Sequence, residues 1–182
     1  LFTYAASDFF HNDSYTPWGQ AINYSHPRVR EFYSENALYW IHEYRFDGLR
    51  FDAVHAMDDD SEIHILTEIA GKVRRSSGPN RHVHLILEND DNQVSWLIDH
   101  AGFTGYTAQW NDDFHHSIHV LGTKEDKGYY ADYTNASGLA SPLWLLGRCL
   151  TQGFAYQQDR SNFRHGKIRG EISSGLNLKR FI

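Results

Sequence analysis

Three charged side chains in two short segments have the types and spacing that acid–base or nucleophilic chemistry requires. Arg50 and Asp52 lie in Arg45-Phe-Asp-Gly-Leu-Arg-Phe-Asp-Ala-Val-His55, a pattern that predicts a short strand followed by a polar loop. Because side chains alternate between the two faces of a strand, Arg50 and Asp52 point the same way. A guanidinium group beside a carboxylate keeps that carboxylate ionised. Taken alone, this segment fits either a catalytic carboxylate or a plain buried ion pair.

Glu88 is a second carboxylate predicted to lie at the C-terminal end of a strand. The segment Arg81-His-Val-His-Leu-Ile-Leu-Glu-Asn-Asp-Asp-Asn92 predicts another strand, with Glu88 at its C-terminal end and polar residues after it. Two carboxyl groups are what glycoside hydrolysis requires, one as nucleophile or base and one as acid. Glu88 follows an apolar run and is expected to be less solvated than Asp52, which favours it as the proton donor. A general acid–base pair for another reaction also fits.

Helices and strands alternate three times along the chain, with polar clusters where the strands end. The predicted elements are a loop over 1–26, a helix over 27–44, a strand over 46–52, a helix capped within 58–62 with an apolar stripe from Ile63 to Val73, a strand within 81–92, a weaker helix over 94–99, a strand over 105–111 that ends in a polar segment over 112–116, a helix over 137–152 and a loop over 157–178. The apolar stripe of the last helix is Leu139, Leu143, Leu146 and Cys149 or Leu150.

This alternation predicts a parallel α/β fold. A (β/α)₈ barrel builds its active site from the loops that follow the strands, and an open doubly wound sheet binds ligands at the same end of its strands. The sequence contains neither G-x-G-x-x-G nor G-x-x-x-x-G-K-[ST], so nucleotide binding has no support from motifs.

Composition restricts the class of protein and its partners. The 182 residues lack a starting methionine and end in what resembles the beginning of a strand, so we expect residues 1–182 to be an internal part of one longer catalytic domain. No apolar run approaches the roughly 18 residues of a membrane helix. A single cysteine, Cys149, agrees with a reducing, cytoplasmic compartment. A net charge of −6 argues against a nucleic-acid partner.

The segment Phe46-Asp-Gly-Leu-Arg-Phe-Asp-Ala-Val-His55 resembles the second conserved region of the α-amylase superfamily. The superfamily's arginine and nucleophilic aspartate match Arg50 and Asp52, and its acid/base glutamate matches Glu88. Four further motifs resemble the malto-oligosyltrehalose trehalohydrolases within that superfamily: TPWG-x-AIN over 16–23, NALYW over 36–40, LENDDN over 87–92 and QWNDDFHHxxH over 109–119. Glycogen-branching enzymes share the helix and strand motifs without the W-N-D-D-F-H-H run.

The resemblance implies part of a (β/α)₈ barrel, about three consecutive βα units, and a retaining hydrolase that needs no cofactor. Its substrate would be maltooligosyl-trehalose, cut at the α-1,4-glucosidic bond next to the terminal trehalose, and a maltooligosyl-trehalose synthase would be its partner in the pathway. A third catalytic aspartate and an earlier strand with an asparagine–histidine pair would lie outside this chain. Three strands of an eight-stranded barrel would also leave two open edges and exposed helix faces, so we expect the isolated chain to be inactive and poorly soluble.

Seven side chains match positions that could contact the sugar. They are Trp18, His55, Asn89, Asp90, Trp110, Asp112 and His116. Each has a structural alternative: Trp18 and His55 could pack inside the protein, and the polar residues after Glu88 could cap the next helix. His115 and His119 have the spacing of zinc ligands on a helix, but no H-E-x-x-H motif accompanies them, so no metal is expected.

Three other functions remain open from the sequence. These are a branching enzyme of the same superfamily, a non-catalytic carbohydrate-binding relative and a metal-dependent hydrolase. For a retaining glycosidase, the carboxyl groups of Asp52 and Glu88 are expected to be about 5–5.5 Å apart, whereas an inverting enzyme leaves about 6.5–9.5 Å for a water molecule.

Overall fold

The chain divides into two compact units. Unit one comprises Leu1–Leu85 and Asp99–Thr104, and unit two comprises Ile86–Ile98 and Gly105–Ile182. The computed structural model describes residues 7–100, 104–134 and 141–182. Among the helices of these residues, none has both the length and the apolar character that a membrane span requires.

Unit one contains a β-hairpin, two helices and a short strand. The elements are β1 (Phe10–Thr16), β2 (Gly19–Ile22), α1 (Pro27–His42), β3 (Gly48–Phe51) and α2 (Ile65–Ser77), and a 3-10 turn covers Val54–Ala56. The two helices pack against each other. Their apolar faces, which include Ile41 on α1 and Val73 on α2, are fully buried and form the core of this unit. The predicted helix over 27–44 is thereby confirmed.

Side chains mark where the helices of unit one begin and hold them together. Pro27 suits the first turn of α1, and the side chain of His26 accepts a hydrogen bond from the backbone N–H of Arg28 at 3.2 Å. Asp59 accepts from the first N–H of α2, at Ile65, at 2.6 Å. Arg30 on α1 then binds Asp59, with its Nη1 3.1 Å from Oδ2. The start of α2 is therefore fixed against α1 by charge as well as by apolar packing.

Unit two contains the end of one strand, a second strand parallel to it and two further helices. Strand β4 (His84–Glu88) begins in unit one and ends in unit two. The other elements are β5 (Ala108–Trp110), α3 (Asp112–Thr123), α4 (Pro142–Gln152), β6 (Asp159–Arg160) and β7 (Ile168–Arg169), with 3-10 turns over Val94–Leu97, Gly128–Tyr133 and Leu178–Arg180. Strands β4 and β5 are parallel, and Glu88 lies opposite Trp110. The predicted parallel α/β class is confirmed by this pairing.

Glycine at position 48 allows β3 to approach β4 closely. The backbone N–H of His84 donates to the carbonyl of Asp47 at 2.8 Å. A Cβ atom added to Gly48 would lie 2.6 Å from the carbonyl oxygen of His84, which is closer than real Cβ atoms come to their neighbours. The glycine of the Asp47-Gly-Leu-Arg50 segment is therefore required by strand packing beside the candidate residues Arg50 and Asp52.

The prediction of a loop over residues 1–26 is wrong for its central part, which forms the β1–β2 hairpin. The two strands pair antiparallel, with Phe10 opposite Ile22 and Thr16 opposite Gly19. Their register shifts between Phe10 and Tyr15. This irregularity interrupts the period-2 alternation by which a strand is recognised in sequence. Residues 1–6 lie outside the described part of the chain.

Two further corrections concern unit two. The weak helix predicted over 94–99 is only a 3-10 turn over Val94–Leu97, which lacks a side-chain N-cap. The segment 112–116, predicted as polar residues after a strand, is instead the first turn of α3. The side chain of Asn111 caps this helix by accepting from the N–H of Phe114, and acidic residues in a first turn favour the helix through its dipole.

The predicted apolar stripes are partly wrong. In α4 the buried residues are Leu145 and Cys149, whereas Leu143 and Leu150 are mostly exposed. Leu145 and Cys149 join a buried cluster that also contains Val120, Tyr133, Ala155 and Tyr156, so a single i,i+4 pair makes the contact. Residues 137–140 of the predicted helix, Leu139 included, lie outside the described residues. Ile63, which was predicted to begin the apolar stripe of the helix after β3, lies before the first residue of α2 and is exposed.

Candidate active site

Asp52 follows β3 in unit one and points into solvent. Its side chain is 75% exposed, and Arg50 donates a hydrogen bond to it, as the alternation along the strand predicts. The next residue, Ala53, has a left-handed backbone with φ 45°, which is unusual for a residue other than glycine. The chain therefore turns sharply directly after Asp52. This turn leaves the carboxylate at the end of the strand accessible to a ligand.

A cleft of about 300 Å³ opens beside Asp52. Trp18, Tyr24, Met57 and Asp58 are among the other residues of unit one that line it. Trp18 is 67% exposed, so it does not pack inside the protein, which was the alternative to a contact with the substrate. Its position at the hairpin turn is held by Thr16, whose hydroxyl accepts from the N–H of Trp18 at 3.2 Å. An exposed indole ring and a carboxylate thus line one cleft.

His55 lies in the 3-10 turn that follows Asp52, and its side chain is exposed. It is not among the residues that line the cleft beside Asp52. Its contact with a substrate stays a prediction.

Glu88 ends β4 in unit two and is partly buried. The next residue, Asn89, is completely buried, and its side chain is occupied within the loop. Its Oδ1 accepts from the N–H of Asp91 at 3.1 Å and its Nδ2 donates to Gln93 Oε1 at 3.1 Å. Its carbonyl accepts from Gln109 Nε2 at 2.8 Å. These contacts give Asn89 a structural role, and substrate binding by this residue stays a prediction.

Asp90 lies between two arginines of the same unit. Arg164 Nη2 is 2.7 Å from Asp90 Oδ2, and Arg169 donates to the other carboxylate oxygen. Both arginines also donate to the carbonyl of Asp90, Arg169 Nε at 2.7 Å and Arg164 Nη2 at 3.1 Å. The segment that follows Glu88 is therefore held by two cations.

Asp112 begins α3 close to other negative charges. Burial and the charges of Asp90 and Glu88 raise the pKa of Asp112 to about 7, although Arg169 opposes the shift. A carboxyl group with this pKa exchanges its proton near neutral pH, which suits either an acid or a hydrogen-bond donor to a ligand oxygen. Trp110, which pairs with Glu88 across β4 and β5, is 46% exposed.

We expect Asp112→Asn to change how the stability of the full-length protein depends on pH. The unfolded group ionises near 3.8 and the folded group near 7, so the wild-type residue loses its stabilising contribution as pH rises through this window. Between about pH 4 and pH 7.5 the thermal midpoint of the wild type should fall relative to that of Asp112→Asn. Asp126→Asn, at an exposed carboxylate of the same unit, is the control and should follow the wild type. A difference in thermal midpoint between wild type and Asp112→Asn that stays constant over this pH range would contradict the raised pKa of Asp112.

His116 lies one turn further along α3 and is surrounded by tyrosine rings. The ring centroids of Tyr129 and Tyr133 lie 4.7 and 5.1 Å from that of His116. Burial lowers the pKa of His116 to about 4, and Arg169 adds to this effect while Asp90 opposes it. The imidazole is therefore neutral at neutral pH. Its Nδ1 is buried and has no hydrogen-bond partner within the described part of the chain.

The structure thus places the predicted site residues in two groups. Unit one carries Arg50, Asp52, His55 and the exposed Trp18. Unit two carries the remaining candidates, which are Glu88, Asn89, Asp90, Trp110, Asp112 and His116.

Four residues that sequence reasoning did not single out hold the group in unit two together. They are Asp113, Tyr133, Arg164 and Arg169. The arginines reach Asp90 and Asp91 across 73 to 79 residues of sequence, a separation at which no local pattern operates. The one available signal was charge, because the polar segment 157–178 contains three arginines while the segment 88–91 contains three carboxylates.

Comparison with known proteins identifies related sequences and a related structure. A malto-oligosyltrehalose trehalohydrolase of Mycobacterium tuberculosis is 39% identical over 160 residues, covering 83% of this chain and 26% of that protein. The Deinococcus radiodurans protein of the same name is 40% identical over 183 residues, covering 100% of this chain and 28% of its own length. A solved structure from Salmonella typhimurium, described as an alpha amylase, has a TM-score of 0.85 and 40% identity, covering 96% of this chain and 29% of that one. No family model matches the chain.

The parallel strand pairing, the carboxylates at the strand ends and the structural similarity agree with an α-amylase-like fold. In sequence the chain is similar to the malto-oligosyltrehalose trehalohydrolases and spans about a quarter of the length of these relatives. The resemblance that the motifs indicate is confirmed. A 1,4-alpha-glucan branching enzyme of Salinibacter ruber is 25% identical over 172 residues, covering 82% of this chain and 26% of that enzyme, a weaker similarity.

Proposed function

We propose that this chain forms part of a retaining glycoside hydrolase that releases trehalose from maltooligosyl-trehalose. The observation that carries the proposal is a carboxylate at the end of each of two neighbouring strands, Asp52 after β3 and Glu88 in β4, in a chain 39–40% identical to trehalohydrolases. Glycoside hydrolysis needs two carboxyl groups of this kind.

In the proposed mechanism Asp52 is the nucleophile. Its carboxylate attacks the anomeric carbon and forms a glycosyl-enzyme ester, while Glu88 donates its proton to the oxygen of the departing trehalose. Glu88 then takes a proton from water, and the resulting hydroxide attacks the anomeric carbon, which breaks the ester and restores both groups. Arg50 orients the carboxylate of Asp52 for the first step through the hydrogen bond described above.

The proposed sugar-binding side chains are the candidates named above. Trp18 offers an exposed ring face beside the nucleophile. His116 and Asp112 offer a neutral imidazole and a carboxyl group that titrates near neutral pH. Trp110 and His55 are exposed and complete the proposed set, together with Asn89 and Asp90 of the loop after Glu88.

The fold-level proposal is that residues 1–182 supply three consecutive strands of a (β/α)₈ catalytic domain. The similarity to a solved α-amylase-type structure supports it. A maltooligosyl-trehalose synthase would supply the substrate.

A product assay tests the function. The full-length protein, incubated with maltooligosyl-trehalose, should release free trehalose, whereas transfer of a glucan branch without trehalose would indicate a branching enzyme. Glu88→Gln should slow trehalose release by about 10²–10⁴-fold, because the amide has no acidic proton to donate. Glu125→Gln, at an exposed glutamate of unit two, is the matched control and should retain wild-type rates. Wild-type release by Glu88→Gln would refute the proposed role of Glu88.

A further inference from the structure

We propose that Arg164 and Arg169 are positioning residues for the reaction. By binding Asp90 they hold the segment that follows Glu88, and through that segment they hold the carboxyl group that donates the proton. The inference rests on the proposed role of Glu88 as the acid.

The contacts of the two arginines cover every acceptor of Asp90. Arg164 binds one carboxylate oxygen and the carbonyl, and Arg169 binds the other carboxylate oxygen and the same carbonyl. Arg164 also donates to the carboxylate of Asp91. Planar guanidinium groups form several directed hydrogen bonds at once, so this arrangement fixes the orientation of the segment as well as its charge.

Arg169 is itself held rigidly. It is only 3% exposed, and its guanidinium carbon lies 4.9 Å from the centroid of the Tyr156 ring. It donates to the hydroxyl of Tyr133 at 2.7 Å and lies 2.9 Å from Asp113 Oδ1. The next residue, Gly170, has φ +82°, and a Cβ there would collide with the carbonyl of Tyr156. A buried arginine on so constrained a backbone can fix Asp90 in one position.

Further contacts hold Glu88, Asn89 and Asn92, the residues on either side of Asp90 and Asp91. The pairing of β4 with β5 holds Glu88 opposite Trp110. Asn89 is bound through its carbonyl by Gln109, and Asn92 donates to the buried Asp113 at 2.8 Å. The two arginines add the contacts to Asp90 and Asp91. A proton donor must stay within hydrogen-bond reach of the leaving oxygen, and a displacement of about 1 Å can cost about 100-fold in rate.

The test uses two substrates that differ in their need for an acid. Departure of trehalose requires a proton from Glu88, whereas fluoride leaves α-maltotriosyl fluoride as an anion without one. The rates are compared as kcat/KM, which reports formation of the glycosyl-enzyme in both cases. In the full-length protein, Arg164→Met should lower kcat/KM on maltooligosyl-trehalose by about 10- to 100-fold. On the fluoride the same variant should stay within about threefold of the wild type.

Two further variants sharpen the test. Arg148→Met is the matched control, because Arg148 forms an ion pair with Asp159 at 2.6 Å in the same unit without touching residues 88–92. It should leave both substrates at wild-type rates. Arg169→Lys keeps the buried charge, and should show the same selective loss as Arg164→Met because one ammonium group cannot reproduce the directed bonds of a guanidinium.

The outcomes separate the inference from the function on which it rests. Equal losses on both substrates, or no loss on either, in Arg164→Met and Arg169→Lys would overturn the positioning role. The variant Glu88→Gln serves as the reference, since it should lose activity on maltooligosyl-trehalose far more than on the fluoride. If Glu88→Gln shows no such selectivity, then the role of Glu88 fails and the inference fails with it. Selective loss in all three variants supports both.

Discussion

Asp52→Asn in the full-length protein should lower the rate of trehalose release by about 10⁴–10⁶-fold, the scale seen when a catalytic nucleophile is removed. The amide has nearly the shape of the carboxylate, but it cannot form the glycosyl-enzyme ester. Asp52 is 75% exposed at the end of β3, and the amide oxygen of asparagine can still accept a hydrogen bond from Arg50. Substrate binding should therefore be nearly unchanged, and the loss should fall on kcat.

Asp47→Asn is the matched control for this prediction. Asp47 precedes β3, and its side chain is 90% exposed, so the same chemical change is made at the opposite end of the strand. Trehalose release by this variant should equal that of the wild type, with binding of maltooligosyl-trehalose measured by calorimetry for both variants. A turnover of Asp52→Asn within tenfold of the wild type would exclude Asp52 as the nucleophile.

Much of the fold could be predicted because its signals are local. The helix α1 has an apolar stripe and a proline in its first turn, and β4 has alternating apolar residues, of which Leu85 and Leu87 are fully buried. Signals of this kind depend on neighbours within one turn or one strand. The hairpin β1–β2 lacked such a signal, because a register shift interrupts its alternation.

Helix starts were harder to place than helix interiors. Asp112 and Asp113 are acidic residues after a strand, a pattern that fits either a polar loop or the first turn of a helix. Asn111, whose side chain accepts from the N–H of Phe114, decides between the two in the structure. The burial of Leu145 and the exposure of Leu143 in α4 depend on which residues of other elements lie nearby, and helical periodicity cannot supply that information.

In the candidate site, too, residues in local motifs could be predicted and residues that act through distant contacts could not. Arg50, Asp52 and Glu88 could be found because each belongs to a short motif at a strand end. Arg164 and Arg169 could not, because they act on a loop 73 to 79 residues earlier in the chain. Arg169 also adjusts the protonation of Asp112 and His116. The electrostatics of the site therefore depend on tertiary contacts that the motifs do not contain.

Asp113 is a residue of unit two whose loss should destabilise the protein strongly. Its side chain is completely buried. It accepts hydrogen bonds from the N–H groups of Ala155 and Tyr156 at 2.7 and 3.0 Å, and it accepts another from the hydroxyl of Tyr133. Arg169 lies 2.9 Å from it, so a buried carboxylate and a buried guanidinium stabilise each other.

Asp113→Ala should lower the free energy of unfolding by about 3–5 kcal/mol, the usual cost of leaving one member of a buried ion pair without its partner. The N–H groups that lose their acceptor add to this cost. Since whole domains are stable by only about 5–15 kcal/mol, the variant should unfold at a much lower temperature than the wild type. Asp126→Ala, which removes an exposed carboxylate of the same unit, should leave the thermal midpoint unchanged. Calorimetry of the full-length variants measures the difference, and a midpoint for Asp113→Ala equal to that of the control would show that this buried pair does not stabilise unit two.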